Sequence, residues 1–314
     1  MSNKYGTGYD IIGDIHGYAS ELKALLNLLG YEERDGCYQH PKRRVIFVGD
    51  FIDRGPEIRE TLRIVRAMVE RGHALAVMGN HEYNALCYHR PDGNGGHLRP
   101  HSDKNRGQHQ ATLAQIAVPF PDEWADHLDW FKSLPLYLEL DGLRVVHACW
   151  DDAEIRVLKG CDRLTEDLLL MSAQRTTAEF RAIDVLLKGK EIRLPDGAVF
   201  TDKENESRRE IRVKWWLDAR GQSYHSISQP ESETVPRTRI PDDVAALLGG
   251  GYGESELPVF VGHYWLAPWK PSPLARNVAC LDYSVAKNGM LVAYRWDGER
   301  ILDMKKMIFV SEGK

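Results

Sequence analysis

Between residues 9 and 78 the chain alternates short apolar runs with longer stretches whose apolar residues recur every three or four positions. Residues 9–12, 44–48 and 74–78 are near-continuous apolar runs, as in strands covered on both faces. Residues 19–30 and 57–72 carry apolar stripes at helical spacing; Gly30 closes the first, and Pro56 and Gly72 bracket the second. Strand, helix, strand, helix, strand is the order of βαβ units on a parallel sheet. The three strands run into "GDIHG", "GDFIDRG" and "GNHE". Three polar clusters are therefore expected at one edge of one sheet, the edge where α/β proteins bind ligands.

After residue 88 the periodicity disappears. Residues 88–110 are rich in Gly, Pro and His and read as a long loop. Helical patterns return over 109–117 and 122–133, followed by strands over 136–140 and 143–148. Asp141-Gly142 between these strands is a strong hairpin signal, and it leaves His147 at the end of an apolar strand. Residues 151–255 are first helical, then highly charged, then Ser/Pro-rich, and close on "GGGYGESE"; they read as an insertion or cap within a single domain spanning 1–314. The glycine run lacks the G-x-x-x-x-G-K-[ST] order of a phosphate loop and reads as a flexible connector. Four strand-like segments follow, "PVFVGHYW", "VACLDYS", "MLVAYRW" and "ILDMKK", with His263 ending the first.

The 314 residues are 43% hydrophobic and 28% charged, enough for one substantial core. Lys and Arg number 41 against 46 Asp and Glu, a net charge of −5, which argues against general nucleic-acid binding. Five scattered cysteines without a C-x-x-C pair suit reduced thiols rather than zinc or redox chemistry. The first ten residues lack a signal peptide's apolar core, and no segment approaches the ~18 apolar residues of a membrane span. A cytoplasmic protein without a membrane partner is expected.

Asp14 and His16 stand two apart on an extended segment, so both point to one side and can converge on a cation, with Gly13 and Gly17 allowing a tight turn. Alone, the pair is as well explained by a capping Asp beside a surface His. The clusters together carry more. Asp14/His16, Asp50/Asp53/Arg54, Asn80/His81, His147 and His263 all fall at strand ends. Carboxylates, a carboxamide and imidazoles are a donor mixture for Mn²⁺, Fe²⁺ or Zn²⁺ and not for a purely structural zinc. Two cations sharing one carboxylate would lower the pKa of a water between them and hold a phosphoryl group from both sides.

In order and rough spacing, "GDIHG", "GDFIDRG", "GNHE", the strand-end "VVHA" and the later "VGH" resemble the motifs of the calcineurin-like metallophosphoesterases. The similarity is to the phosphoprotein-phosphatase type, including its bacterial diadenosine-tetraphosphatase-like and serine/threonine-phosphatase-like branches, and covers about residues 1–150 and 257–304. The resemblance implies a four-layer α-β-β-α sandwich, here with a large insertion, and two divalent metal ions, Mn²⁺ first, with Fe or Zn as alternatives. It implies that Asp14, His16 and Asp50 hold the first metal, and that Asp50 bridges to a second held also by Asn80, His147 and His263. By the same resemblance His81 protonates the leaving oxygen, Asp53 orients His81, Arg54 grips the phosphoryl oxygens, and a metal-bridging hydroxide attacks in line. The implied substrate is a phosphopeptide or a nucleotide polyphosphate. Tyr83-Asn84 after "GNHE", Cys149-Trp150 after "VVHA" and "LDYS" at 281–284 depart from the patterns of individual branches and spare the metal ligands.

Four histidines, His89, His97, His101 and His109, crowd 88–110 at irregular spacing and read as part of a solvated loop; Arg99, Lys104 and Arg106 there are candidate substrate contacts. Around "RREIRVKWW" (208–216), Glu204, Glu206 and Glu210 offset the basic charge, and Trp215-Trp216 are expected to pack in the core. Arg209, Arg212 and Lys214 are candidates for a cap over the site. The reading is a two-metal phosphoesterase of monoesters or anhydrides. Its alternatives are an RNA-end phosphatase and a noncatalytic module that binds metal or phosphorylated ligands, which would be expected to lack His81, Asp53 or Arg54.

Overall fold

The computed structural model describes residues 8–195, 197–201 and 207–311. Glu204, Glu206 and most of the stretch read for a signal peptide lie outside them. From β1 (Gly8–Ile12) the chain passes through α1 (Ala19–Leu28) and a small hairpin, β2 (Glu32–Arg34) and β3 (Cys37–Gln39), into β4 (Arg43–Phe47). It continues through α2 (Ile58–Glu70) to β5 (Ala74–Ala76). β1, β4 and β5 pair in parallel, Ile11 against Ile46 and Ile46 against Leu75, as the alternation of apolar runs and stripes predicts.

Three helices, α3 (Asn80–His89), α4 (Asp103–Thr112) and α5 (Pro121–Ser133), lead to a second sheet. It opens with the hairpin of β6 (Tyr137–Leu140) and β7 (Leu143–Val146), whose two-residue turn puts Gly142 at φ +93° and pairs Leu140 with Leu143. The segment that follows holds α6 (Asp152–Val157), α7 (Glu166–Ser172), α8 (Ala178–Lys188), and the short strands β8 (Glu191–Arg193), β9 (Phe200–Thr201), β10 (Ser207–Arg208) and β11 (Glu210–Arg212). After α9 (Tyr224–Ile227) and α10 (Asp242–Leu248), β12 (Val259–Val261) and β13 (Val278–Cys280) extend the second sheet in parallel from β7. β14 (Asp282–Tyr283), β15 (Met290–Trp296) and β16 (Met307–Ser311) complete the first, with β15 antiparallel to β1, β14 and β16.

The two-residue period of the strands decides the layers. Ile11, Ile46, Leu143, Val145, Phe260 and Val292 form one buried apolar layer drawn from both sheets. Their neighbours Ile12, Val45, Phe47, Val146, Val259 and Val261 join Leu22 and Leu25 of α1, Leu62 and Val65 of α2, and Ile183 and Leu186 of α8. The result is the expected α-β-β-α sandwich. Asp10, fully buried in β1, ties its strands together: it accepts from Arg43 Nε (3.0 Å) of β4, Arg295 Nε (2.9 Å) of β15 and the Tyr31 hydroxyl (3.0 Å).

Several expectations need correction. Within 88–110, α3 runs on to His89 and α4 begins at Asp103, its end capped by Ser102 Oγ accepting from the Asn105 amide (3.3 Å). Only His109 and Thr112 of α4 are buried, so it has no apolar stripe for periodicity to detect. "VACLDYS" is two strands in two different sheets, β13 and β14. "ILDMKK" is no strand: Asp303 caps a short turn by accepting from the Lys305 amide (2.9 Å), and the last strand is β16. The glycine run is exposed, and one point of it, Gly251 with the adjoining Tyr252, is fixed to the chain. The Tyr252 amide donates to the Trp216 carbonyl (3.2 Å), and Gly251 (φ +78°) lies so close to the Leu217–Asp218 backbone that a Cβ would sit 2.8 Å from it.

Trp215 and Trp216 are buried in the main core, and residues between Ile192 and Leu248 gather a smaller one around Ile211, Tyr224, Ile227 and Ile240. All five cysteines are unpaired, and only Cys161 is exposed. Among the described residues no helix is long and apolar enough to cross a membrane.

Candidate metal centre

The strand ends deliver their polar residues on strained backbone. His16 (φ +50°), Asp50 (+54°), Asp53 (+65°), Arg54 (+76°) and His263 (+73°) all occupy the left-handed region, which persists for non-glycine residues only where the surroundings enforce it. Here they do. The amides of Ile15 and His16 both donate to the Asp50 carbonyl (3.1 and 2.9 Å), and Gly55 N donates to the His16 carbonyl (2.7 Å). Glu82, fully buried, accepts from the amides of Asp50 (2.8 Å), Phe51 (2.8 Å) and Gly79 (3.0 Å) and so clamps the second strand end to the start of α3. Burial, reinforced by the charge of Asp50, lifts Glu82 to about 7. A Cβ at Gly262 would strike Asp14 Oδ1 and one at Gly79 would strike Asp50 Oδ1, so glycine is required where these carboxylates approach the backbone.

Asp50 lies at the middle of the cluster. Its Oδ2 is 3.3 Å from His147 Nε2, 3.7 Å from His16 Nε2 and 3.9 Å from His81 Nε2. Asn80 Oδ1 lies 3.0 Å from His147 Nε2 and 2.7 Å from His263 Nδ1. Asp14 joins from the first strand end, its Oδ2 accepting from the His263 amide (2.9 Å). Two tight groups of donor atoms share Asp50: Asp14, Asp50 and His147 in one, His16, Asp50 and His81 in the other. The first-strand pair Asp14/His16 is thus divided between them. His16 and His147 spend Nδ1 on the carbonyls of Ile52 (2.9 Å) and Val48 (2.7 Å), which turns each Nε2 toward the cluster.

Electrostatics strain these residues against one another. Burial, with Asp282 and Asp50, raises Asp14 well above the usual carboxylate range. Burial opposes the His147 imidazolium, but Asp50 and Asp14 outweigh it and push it up to about 10. Burial and the neighbouring His81 take His16 down to about 4, and burial with the charge of Arg212 holds His263 well below its ordinary value. Asp14 Oδ1, His16 Nε2 and His263 Nε2 are buried with no hydrogen-bond partner. Buried acceptors left orphaned around a shared carboxylate are the donor set of a divalent cation site, and the residues present fit such ions.

Beside this cluster His81 Nδ1 donates to Asp53 Oδ2 (2.6 Å). Burial works against the charged ring, and Asp50 and Asp53 more than compensate, raising its pKa. Asp53 Oδ1 in turn accepts from His109 Nδ1 (2.9 Å) and Thr112 Oγ1 (2.6 Å), both on α4. His109 is therefore no solvated loop residue: it is buried against the Asp53 carboxylate, with its Nε2 3.2 Å from that of His89. His101, in contrast, is exposed and stacks on Tyr88 (3.8 Å) and His97 (4.0 Å).

Arg54 is exposed, its guanidinium 5.4 Å from the ring of Trp265, which lies 5.6 Å from the His16 ring. Trp265 is held there by its amide, which donates to the buried Asp282 carboxylate (2.6 Å). Of the four arginines proposed as substrate contacts, Arg99 lines a small cavity with His81 and Asp53, and Arg212 is near enough for its charge to act on His263. Arg106 is exposed on α4 outside that cavity, and Arg209 lines a different one with Arg193 and Leu194. Lys214 is committed to Glu231 (2.6 Å). Glu82, His109, Thr112, Trp265 and Asp282 carry no role in the sequence reading. Only Glu82, inside "GNHE", and the i, i+3 spacing of His109 and Thr112 offered a signal.

Two facing sheets flanked by helices, with buried carboxylates and imidazoles gathered at the strand ends, define a protein of the metallophosphoesterase class. The chain belongs to the calcineurin-like phosphoesterases, whose family profile matches residues 9–218. It is similar to the bis(5'-nucleosyl)-tetraphosphatase PrpE [asymmetrical] of Geobacillus sp. (strain WCH70), with 51% identity over 144 residues, 44% of this chain and 55% of that protein. It is also similar to the protein of that name from Halalkalibacterium halodurans, with 50% identity over 74 residues, 23% of this chain and 30% of the relative. In both, the match spans less than two thirds of the relative's length. Solved structures of similar shape include the cold-active protein-tyrosine phosphatase of a psychrophilic Shewanella species (18% identity, 95% of this chain and 81% of that one, TM-score 0.47). Another is a protein serine/threonine phosphatase from Saccharomyces cerevisiae (13% identity, 99% and 80%, TM-score 0.46).

Proposed function

We propose that the chain is a metal-dependent phosphoesterase that hydrolyses phosphoanhydrides of nucleotides, with Asp14, His16, Asp50, Asn80, His147 and His263 holding two divalent cations, Mn²⁺ first. The observation that carries this reading is the set of orphaned buried donors, Asp14 Oδ1, His16 Nε2 and His263 Nε2, around Asp50 and next to a hydrogen-bonded His81–Asp53 pair. The cations, when bound, supply an acidified water and neutralise the phosphoryl oxygens. The protein's own groups do the rest. Arg54 offers a guanidinium to the phosphoryl oxygens, and His81 holds a proton on Nε2 for a departing oxygen that needs one, while Asp53 fixes its ring. The tetraphosphatase relatives favour the anhydride. A second reading, hydrolysis of phosphoserine or phosphothreonine peptides, is favoured by the His81–Asp53 pair itself, because an alkoxide needs a proton to leave and a phosphate does not.

The test is a substrate panel on the full chain with Mn²⁺: diadenosine tetraphosphate, a phosphoserine peptide and p-nitrophenyl phosphate, each repeated after chelation. Hydrolysis that vanishes on chelation and returns with metal is expected, fastest on the dinucleotide. Metal binding without turnover of any of the three, also with Fe²⁺ or Zn²⁺, would leave a noncatalytic module as the account of this chain.

A further inference from the structure

The cavity next to the His81–Asp53 pair contains a guanidinium, that of Arg99, with no ion-pair partner among the described residues. Its walls include Asn84, Arg99, Gln108 and His109. Arg99 Nη1 donates to Asn84 Oδ1 (3.0 Å) and Nη2 to Gln108 Oε1 (2.7 Å), both of them neutral amides. Arg59, Arg63 and Arg66 on the surface, in contrast, each sit on a carboxylate. Arg99 is half-buried and has no carboxylate within ion-pair distance among the described residues. The one carboxylate in the same cavity, Asp53, is already taken by His81, His109 and Thr112.

Withdrawing a guanidinium from water without a counter-charge is costly, and the two amides aim it without paying its charge. Nor is Arg99 loosely placed. Its amide donates to the Cys87 carbonyl (2.9 Å), and the adjoining Leu98 amide donates to the Arg90 carbonyl (3.0 Å), so the segment is bonded back onto the end of α3. A fixed guanidinium without an ion-pair partner of its own, in a cavity lined also by His81, suits an anion attached to the leaving group.

We propose that this cavity is the subsite for the second phosphate of a phosphoanhydride, the phosphate that departs, with Arg99 as its charge partner and Asn84 and Gln108 holding the guanidinium in aim. The inference rests on the phosphoesterase reading above and adds to it a residue that separates anhydride from ester substrates. In anhydride cleavage a water oxygen forms the new bond to phosphorus and its proton passes to solvent. The bridging P–O bond breaks, and its electron pair stays on the departing phosphate, whose negative charge rises by one. Arg99 meets that charge. In ester cleavage the electron pair goes to an alkoxide, which takes the His81 proton, and the water's proton restores His81. The two side chains therefore serve different leaving groups.

The experiment compares the wild-type chain, R99Q and R99K with Mn²⁺ in excess on diadenosine tetraphosphate and p-nitrophenyl phosphate, with inorganic pyrophosphate and orthophosphate as competing inhibitors. A charge-assisted pair lost from a half-buried site costs roughly 10- to 100-fold. R99Q is expected to lose that factor in kcat/KM on the dinucleotide beyond whatever it loses on the small ester, and R99K to recover part of it. Wild-type enzyme is expected to bind pyrophosphate at least tenfold tighter than orthophosphate, a measurement that does not depend on the variants folding. Equal losses on the two substrates, or equal inhibition by the two anions, would overturn the subsite while leaving the phosphoesterase reading in place. A wild-type chain inactive on both substrates would overturn that reading, and the subsite with it.

Discussion

His81 is held from two directions, its backbone amide donating to Asp50 Oδ1 (2.9 Å) and its Nδ1 to Asp53 (2.6 Å), with Nε2 turned toward Asp50 Oδ2 (3.9 Å). Two buried carboxylates keep the ring charged against the cost of burial. On the proposed role as general acid, its value depends on how badly the leaving group needs a proton. His81→Ala is expected to lower kcat roughly 10²- to 10⁴-fold on a phosphoserine peptide and far less on p-nitrophenyl phosphate, whose phenolate departs unprotonated. The ratio of the two losses is the measurement; equal losses would assign His81 a structural role. His81 was readable in the sequence because its neighbours Asn80 and Glu82 stand beside it in one short motif. His109, which bonds the other oxygen of the same Asp53, was not, because the contact spans 56 residues and arises from a helix with a polar surface.

At the scale of elements, α5 shows how a helix that reads correctly from its apolar spacing can hide a titratable liability. His127 is buried near the rings of Trp130 (6.2 Å) and Phe131 (6.5 Å), and its Nδ1 has no partner. Burial, with the charge of Arg66, takes its pKa from 6.5 to about 4. The unfolded chain binds this proton near 6.5 and the folded one only near 4, so stability falls as the pH drops from 6.5 toward 4. The loss from this one group is at most about 3 kcal/mol. His127→Gln is expected to flatten the decline of Tm between pH 7 and pH 4.5; an unchanged slope would place the acid sensitivity elsewhere. The same scale explains the misread ends of the chain. β14 and β16 take their strand character from pairing with β15, and neither two nor five residues carry a pattern strong enough to announce it.

At the scale of the whole molecule, the segment from 151 to 255 leaves after His147 and returns before His263, so both its ends emerge beside donors of the metal cluster. Its basic residues do not act alike. Arg212 depresses His263 and lies 3.4 Å from Glu191, whereas Arg209 is exposed beside a separate cavity. Arg212→Gln is expected to raise KM for diadenosine tetraphosphate roughly tenfold, and Arg209→Gln to leave it within twofold. Michaelis constants for the two variants decide this, and parallel behaviour would remove Arg212 from substrate binding.

The sequence by itself determined the βαβ order, the two-residue hairpin turn and the strand ends at which the carboxylates and imidazoles sit. Each of these is encoded by spacing within a few residues, where the strand and helix periods act directly on neighbours. Tertiary structure alone decided which of those donors meet. Asp14 receives the amide of His263 from 249 residues away, His16 and Asp14 fall into different donor groups around Asp50, and Arg99 reaches a cavity that α3 and α4 enclose together. It also decided that α4 is a helix, since its one buried face is polar and becomes favourable only once Asp53 is present to accept from His109 and Thr112. Buried polar contacts of this kind derive their stability from partners distant in the chain, and no local pattern records them.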